Sequence, residues 1–207
     1  MKTEVILAND SLAIQHAVDV FNRNGMVAFP TDTVYGLSAP AFNTNSIDRL
    51  YTVKGRNHSK AIAVLLSNLE QMDLVTLKIT PSVRRLAKIF WPGPLTMVVN
   101  RSHSLPDILS PVQTIGIRIP DHPFALSLIE EIGPLAVTSA NVSGQPPPCT
   151  AVDVLHQLNH KIHLIIDGGK TPGGIPSTVI DCTTSDVKLL RKGPISMEKI
   201  LSELKLN

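Results

Sequence analysis

The chain has 207 residues, of which 43% are hydrophobic, 17% are charged and only 4% are aromatic, a composition typical of a globular domain with an aliphatic core. The formal net charge of +2 does not indicate the strongly basic surface of a dedicated nucleic-acid-binding protein, but it is compatible with an anionic ligand. The two cysteines, Cys149 and Cys182, predict neither a disulfide framework nor a zinc cluster, and no apolar run resembles a signal peptide or a membrane span, so we expect a cytoplasmic protein.

Short apolar runs alternate with amphipathic segments from one end of the chain to the other. The runs predict strands over residues 5–7, 26–29, 61–66, 95–99, 114–119, 135–138, 164–166, 177–181 and 187–190. The amphipathic segments predict helices that begin near residues 9–11, 45–46, 80–81, 121, 151 and 196, the last of them ending at Leu206. Residues 101–113 predict a loop. The alternation predicts a single α/β domain with a mixed sheet.

The stretch 26–39 organises the rest of the chain. Four apolar residues form a short buried strand that Pro30 ends, and small polar residues follow from Thr31 to Thr33. Side chains at strand ends in α/β proteins point into the crevice where ligands bind, so residues 31–35 predict one wall of a site. An ordinary polar turn is the alternative interpretation.

Cations stand where an anionic ligand could use them. Lys54 and Arg56 flank Gly55, a pairing that suits phosphates, although cations at a helix C-terminus are also favoured by the helix dipole. Arg118 interrupts an apolar strand, and a buried charge needs either an anionic ligand or an internal carboxylate, for which Asp121 is the candidate.

Hydroxyl and amide groups also follow buried strands. Ser139 and Asn141 could donate hydrogen bonds to phosphate or nucleotide oxygens, although a helix N-cap cluster is the alternative. Ser177 begins a strand, and Arg191 is a further cation at a strand end.

Together these stretches resemble the YrdC family of threonylcarbamoyl-AMP synthases, also called TsaC-type. The motifs that carry the resemblance are Phe-Pro-Thr-Asp-Thr-Val-Tyr-Gly-Leu at 29–37, Lys-Gly-Arg at 54–56, Trp-Pro-Gly-Pro-Leu-Thr at 91–96, Thr-Ile-Gly-Ile-Arg-Ile-Pro-Asp-His-Pro at 114–123, Thr-Ser-Ala-Asn-Val-Ser-Gly at 138–144, Asp-Gly-Gly at 167–169, Pro-Ser-Thr-Val-Ile-Asp at 176–181 and Leu-Leu-Arg-Lys-Gly-Pro at 189–194. The match covers about residues 10–200, and eight motifs in order form a specific signal.

The resemblance implies an open, twisted mixed sheet flanked by helices, with a concave active-site cleft, in one YrdC-like domain over residues 1–207. We expect the short form, without the extra C-terminal domain of some relatives. The implied activity is that of a nucleotidyltransferase, L-threonylcarbamoyladenylate synthase. It combines L-threonine, bicarbonate or CO2 and ATP into threonylcarbamoyl-AMP and pyrophosphate, and partner proteins then transfer the threonylcarbamoyl group to tRNA as N6-threonylcarbamoyladenosine.

The resemblance also implies roles for individual residues. The ATP-binding set is Lys54, Arg56, Thr114, Ser139, Asn141 and Arg191. The threonine-binding set is Thr31, Arg118 and Ser177. Catalysis by positioning and charge is implied for Lys54, Arg56 and Arg118. We expect magnesium to arrive with the ATP phosphates, no metal ligand from the protein and no organic cofactor.

Three other hypotheses stay open at this point. The chain could be a non-catalytic module that binds double-stranded RNA or tRNA, or a weakly active paralogue, against which the intact Lys54-x-Arg56 and Ser139-x-Asn141 pairs argue. The carbamoyltransferase relative of hydrogenase maturation is disfavoured because zinc-finger cysteines are lacking. The chain departs from many relatives at Asn57, Ala61 and Pro176.

Overall fold

The structure is a computed structural model that describes residues 2–205. Its strands are β1 (Glu4–Leu7), β2 (Val27–Phe29), β3 (Gly36–Pro40), β4 (Ala63–Leu65), β5 (Leu95–Asn100), β6 (Thr114–Arg118), β7 (Leu135–Ser139), β8 (Leu164–Asp167), β9 (Thr178–Asp181) and β10 (Lys188–Arg191). Its helices are α1 (Ala13–Asn22), α2 (Thr44–Lys54), α3 (Met72–Val75), α4 (Pro81–Phe90), α5 (Pro123–Ile132), α6 (Ala151–Leu158) and α7 (Met197–Lys205). A 3-10 turn covers Asp107–Leu109.

One sheet contains all of these strands, in the order β1-β8-β2-β3-β7-β4-β6-β5-β9-β10. The neighbours β1 and β8, β8 and β2, β4 and β6, and β5 and β9 run parallel, whereas the other pairs are antiparallel. β1 and β10 lie at opposite ends of this order, so the sheet is open. The predicted α/β class with an open, mixed sheet is therefore confirmed.

The strand register sorts the side chains onto two faces. Leu65 pairs with Leu135 of β7 and with Arg118 of β6, so these three side chains lie on one face. Their neighbours along the strands, Val64 and Ile117, pair with each other and lie on the opposite face.

Helices pack against both faces. On the face of Leu65, α1 and α5 bury a core that includes Phe21 and Leu128. On the face of Ile117, α2, α4, α6 and α7 bury a larger and mainly aliphatic core. α1 lies over β2 and β8, whereas the cleft described below occupies the same face over β7, β4, β6, β5 and β9.

Local signals explain where the helices begin. Thr80 caps α4, its hydroxyl accepting the Val83 N–H at 3.2 Å, and Thr150 caps α6 in a reciprocal pair with Asp153. The start of α5, predicted near residue 121 with Asp121 as its cap, lies slightly later, because the N-cap is His122 and its side chain makes no capping bond. The Asp121 N–H instead donates to Oδ1 of Asp32 at 3.2 Å.

Some predicted boundaries also change. β4 is shorter than the predicted strand 61–66. The Ile62 N–H donates to the Leu109 carbonyl of the 3-10 turn, and the Leu66 N–H donates to the Arg118 carbonyl just beyond the end of the strand. α3 was not predicted, and the predicted end of the last helix at Leu206 lies outside the described residues. Among residues 2–205, the helices are all too short or too polar to cross a membrane.

Candidate functional site: a cationic cleft on the sheet

A cleft of about 320 Å³ lies on the sheet face that carries Leu65. Its floor is apolar and is built from small or aliphatic residues of the central strands, namely Ala63, Leu65, Val98, Gly116, Val137 and Val179. Gly116 keeps this floor deep, because a Cβ there would lie 3.1 Å from Cγ2 of Thr96 and 3.5 Å from Cβ of Ala63. The floor therefore suits a flat or apolar part of a ligand.

The polar wall of the cleft is cationic. Arg56, Arg118 and Arg191 line it, and within the described part of the chain its lining contains no carboxylate. Arg191 is exposed and Arg56 is half-buried, so both guanidinium groups can contact a ligand without a rearrangement of the protein core. This distribution of charge favours a polyanionic ligand.

Arg118 is buried and fixed by protein groups. Its Nε donates to the Gly93 carbonyl at 2.9 Å, its Nη1 donates to Oγ1 of Thr33 at 3.1 Å, and its Nη2 forms an ion pair with Asp32. Burial lowers the pKa of Arg118, and the Asp32 charge opposes that shift. The carboxylate partner is thus Asp32, and the expectation that it would be Asp121 is wrong.

Residues 30–35, here called the Thr31 loop, form the wall predicted from the sequence. The Thr31 hydroxyl donates to the Val34 carbonyl at 2.7 Å and accepts the Thr33 and Val34 N–H groups at 3.2 and 3.3 Å. Tyr35 anchors the other end, donating its hydroxyl to the Gly169 carbonyl at 2.7 Å, and burial raises its pKa to about 12. Because this rigid loop lines the cleft, the site interpretation is favoured over an ordinary turn.

The opposite wall is a hydroxyl and guanidinium network. The Ser177 and Thr96 hydroxyls lie 2.8 Å apart, and Arg191 donates to the Ser177 carbonyl and hydroxyl at 2.9 and 3.1 Å. Although Arg191 as a whole is exposed, partial desolvation of its guanidinium against Ser177 lowers its pKa, and the positive charge of Arg118 adds to that shift. Two guanidinium groups that repel each other across a cleft are stabilised by an anion between them.

Arg56 is held at the third side of the cleft by its own loop. Its Nε donates to the Lys60 carbonyl at 3.1 Å and its Nη2 donates to the Ala61 carbonyl at 2.8 Å. Gly55 ends α2 in a left-handed conformation, with φ of 58°, which turns the chain so that Arg56 reaches the cleft.

Lys54 and Asn141 lie behind the lining. The Lys54 ammonium donates to the Ser139 carbonyl, to the Asn141 carbonyl at 2.5 Å and to Oδ1 of Asn141 at 3.5 Å. Only 1% of Lys54 is exposed, and burial, with the nearby Arg56 charge, lowers its pKa to about 7. The N-cap alternative for Ser139 and Asn141 is wrong, because the next helix begins at Ala151.

A family model covers most of the chain: Sua5_yciO_yrdC, described as "Telomere recombination", matches residues 19–193. The chain belongs to the Sua5/YciO/YrdC family. The resemblance inferred from the motifs is thereby confirmed.

Named relatives within this family agree on one activity. The chain is 41% identical over 204 residues to a Bacillus subtilis protein named threonylcarbamoyl-AMP synthase. That alignment covers 96% of this chain and 58% of the relative. It is 40% identical over 193 residues to a protein of the same name from Pyrococcus abyssi, covering 90% of this chain and 57% of the relative.

A solved structure of the Sua5 branch shares the fold. The crystal structure of P. abyssi Sua5 complexed with L-threonine superposes with a TM-score of 0.94 at 36% identity, covering 99% of this chain and 61% of that one. The chain thus spans about three fifths of the length of these relatives.

The candidate residues of the Sua5/YciO/YrdC chain fall into two groups. Thr31, Arg56, Arg118, Ser139, Ser177 and Arg191 line the cleft. The cleft lining does not include Lys54, Thr114 or Asn141. Thr114 begins β6 opposite Asn100, four residues before Arg118. The roles predicted for Lys54, Thr114 and Asn141 stay predictions.

Three residues of the site received no individual role from the sequence, although Asp32 and Thr33 lie within the predicted wall 31–35. Thr33 and Asp32 hold Arg118, and Thr96 bonds to Ser177. Each of them lies inside one of the motifs, 29–37 or 91–96, and that position was the available signal.

The protein groups of the cleft do not fit a metal ion. Across residues 2–205, no group of three or more histidine, cysteine, aspartate or glutamate side chains is placed to hold one. The cleft offers hydroxyls and guanidinium groups, which are poor ligands for a hard divalent cation.

Proposed function

We propose that this protein is an L-threonylcarbamoyladenylate synthase, a nucleotidyltransferase that makes threonylcarbamoyl-AMP. The observation that carries the proposal is a cleft lined by three arginines and no carboxylate, within the described residues, in a family whose relatives bear this name. A polyanionic nucleotide is the ligand that such a cleft attracts most strongly.

The proposed reaction has two steps. The threonine amine adds to CO2 or bicarbonate to give N-carboxythreonine, with loss of a proton or of water. The new carboxylate oxygen then attacks the α-phosphorus of ATP, the bond to the β-phosphate oxygen breaks, and pyrophosphate leaves. Positioning and charge stabilisation dominate such phosphoryl chemistry, so arginines suffice as the protein's contribution.

The nucleotide is assigned to the exposed side of the cleft. Arg56 and Arg191 would bind phosphate oxygens, Ser139 would donate its hydroxyl, and Thr114 would lie near the nucleotide. Any magnesium would be held by the phosphates, since residues 2–205 contain no group of three or more side chains placed to bind it. Lys54 and Asn141 belong to the proposed ATP set indirectly, because they lie behind the lining and Lys54 binds the carbonyls of Ser139 and Asn141.

Threonine is assigned to the buried part of the lining, to which Thr31, Arg118 and Ser177 belong. Three hydrogen bonds of Arg118 go to protein groups, and a guanidinium has five N–H donors, so two donors remain for a carboxylate. The relative crystallised with L-threonine supports an amino-acid substrate for this fold.

The domain extent, the cellular location and the partners of the protein are also part of this proposal. We assign residues 1–207 to one YrdC-like domain in the cytoplasm, with the product passing to proteins that transfer the threonylcarbamoyl group to tRNA. Direct tRNA or double-stranded RNA binding is the competing role, and it would weaken steeply as the salt concentration rises.

The test is pyrophosphate release from ATP and magnesium, omitting L-threonine and bicarbonate in turn, with mass spectrometry of the adenylate. We expect release only when both are present. Arg56→Met and Arg118→Met should abolish it, whereas Lys88→Met, a change at an exposed lysine of α4, should leave it intact. Release that ignores threonine, or no release at all, would refute the proposal.

A further inference from the structure

The cleft depends on a group that is hidden behind it. We infer that Lys54 is a positioning residue, which holds the segment that presents Ser139 to the cleft, and that it is not a phosphate ligand. The catalytic consequence of this inference rests on the proposed function, but the positioning role itself concerns the ligand-free protein.

The contacts of Lys54 converge on one segment, residues 139–145, here called the Ser139 loop. Its ammonium donates to the carbonyls of Ser139 and Asn141 and to the Asn141 side-chain oxygen. Its own carbonyl accepts the Ser143 N–H at 2.8 Å. One residue at the end of α2 therefore binds both the start and the middle of the loop.

The number of donors matches the number of acceptors. In its protonated form the Lys54 ammonium carries three N–H donors, and its three hydrogen-bond partners are all carbonyl-type oxygens of the Ser139 loop. Lys54 forms no ion pair among the described residues, and the nearby charge that acts on it is that of Arg56. A phosphate contact would require the ammonium to leave these oxygens buried and unpaired, which is costly.

Asn141 extends the same support to the far end of the loop. Its Nδ2 donates to the Val142 carbonyl at 2.8 Å and to the Gln145 carbonyl at 2.7 Å, while its Oδ1 accepts from Lys54. All of these partners belong to α2 or to the loop itself. Only Ser139 of this segment reaches the cleft lining, so Lys54 acts on a ligand through Ser139.

The test is amide hydrogen exchange of the ligand-free protein, read over residues 139–145. Lys54→Met should raise exchange there by about tenfold or more, the equivalent of losing one hydrogen bond to a charged group. Arg191→Met should weaken ATP binding without changing exchange in this segment, and Lys88→Met should change neither. Unchanged exchange in Lys54→Met, with ATP binding lost, would identify Lys54 as a direct ligand and overturn the inference.

A second variant keeps the test valid if Lys54→Met does not fold. Lys54→Arg preserves the charge, so a phosphate ligand would keep most ATP affinity and normal loop exchange. If Lys54 is a positioning residue, its site, where the side chain is 1% exposed, would not accommodate the larger guanidinium group of arginine. Amide exchange over residues 139–145 should then rise. If neither variant folds, nuclear magnetic resonance of the wild-type protein with ATP decides: the Lys54 ammonium should show no coupling to an ATP phosphorus across a hydrogen bond, and such a coupling would overturn the inference.

Failure of this inference and failure of the proposed function are separable. If the Lys54 variants show raised exchange over residues 139–145 but the wild-type protein releases no pyrophosphate, the positioning role is retained and the synthase activity is rejected. Pyrophosphate release with unchanged loop exchange in the Lys54 variants would do the opposite.

Discussion

The ion pair between Arg118 and Asp32 gives the sharpest stability prediction. Their side chains are 7% and 11% exposed, so each charge relies on the other. Asp32→Leu leaves the guanidinium buried beside Thr33 without a counter-charge, and we expect a loss of about 3–5 kcal/mol in the free energy of unfolding. For a chain of this size each kcal/mol lowers Tm by about 2–4 °C, which gives a fall of at least ~6 °C.

Arg118→Met should cost a similar amount, because it strands the carboxylate. The double variant removes both charges and should be more stable than either single variant, coming within ~2 kcal/mol of the wild-type protein. Urea unfolding of the four proteins measures the coupling directly. Asp48→Leu is the control, since its pairing with His58 is exposed and its loss should cost less than about 1 kcal/mol. Additive losses in the double variant would show that the buried pair is not a unit and would refute the reasoning.

Three further predictions concern single groups of the site. Lys54 has a pKa of about 7 when folded and near 10.5 when unfolded, so the unfolded chain binds the extra proton between these values. Wild-type stability, measured against Lys54→Met to cancel other titrations, should therefore rise by up to about 1.4 kcal/mol per pH unit from pH 7 to 10, and a flat difference would contradict the burial argument. Gly116→Val should fill the cleft floor and weaken ligand binding by at least about tenfold in calorimetry while the protein stays folded; unchanged binding would place the ligand elsewhere. Arg191→Met should weaken ATP binding by about ten- to a hundredfold with little change in Tm, because Arg191 is exposed; equal ATP affinity at low salt would remove it from the phosphate site.

Much of the fold could be predicted because its signals are local. Thr80 followed by Pro81 predicts the start of α4, and the alternation of Ile115 and Ile117 predicts β6. The strand order could not be derived in the same way, because β7 lies between β3 and β4 through pairings of residues that are about 70 to 100 positions apart. Local periodicity carries no information on such partners.

The site was predictable as a set of residues, but not as an arrangement. The expense of burying Arg118 predicted either an anionic ligand or an internal carboxylate, and nearness in sequence selected Asp121 as the carboxylate, whereas the strand ends bring Asp32 to it from 86 positions away. Lys54 and Arg56 look equivalent in the sequence, yet one is buried and the other lines the cleft. The left-handed Gly55 between them changes the direction of the chain, and that turn separates their roles.

The pairing pattern of the three arginines explains how one cleft could serve two substrates of different charge. Asp32 neutralises Arg118, whereas Arg56 and Arg191 have no carboxylate partner among the ion pairs of residues 2–205. On the proposed function, a zwitterionic amino acid suits the neutralised end, because its carboxylate gains hydrogen bonds without attracting a second polyanion. ATP suits the end that keeps its positive charge. The buried ion pair would thus sort the substrates by charge as well as stabilise the fold, and exchanging their positions would place the triphosphate beside Asp32, where like charges repel.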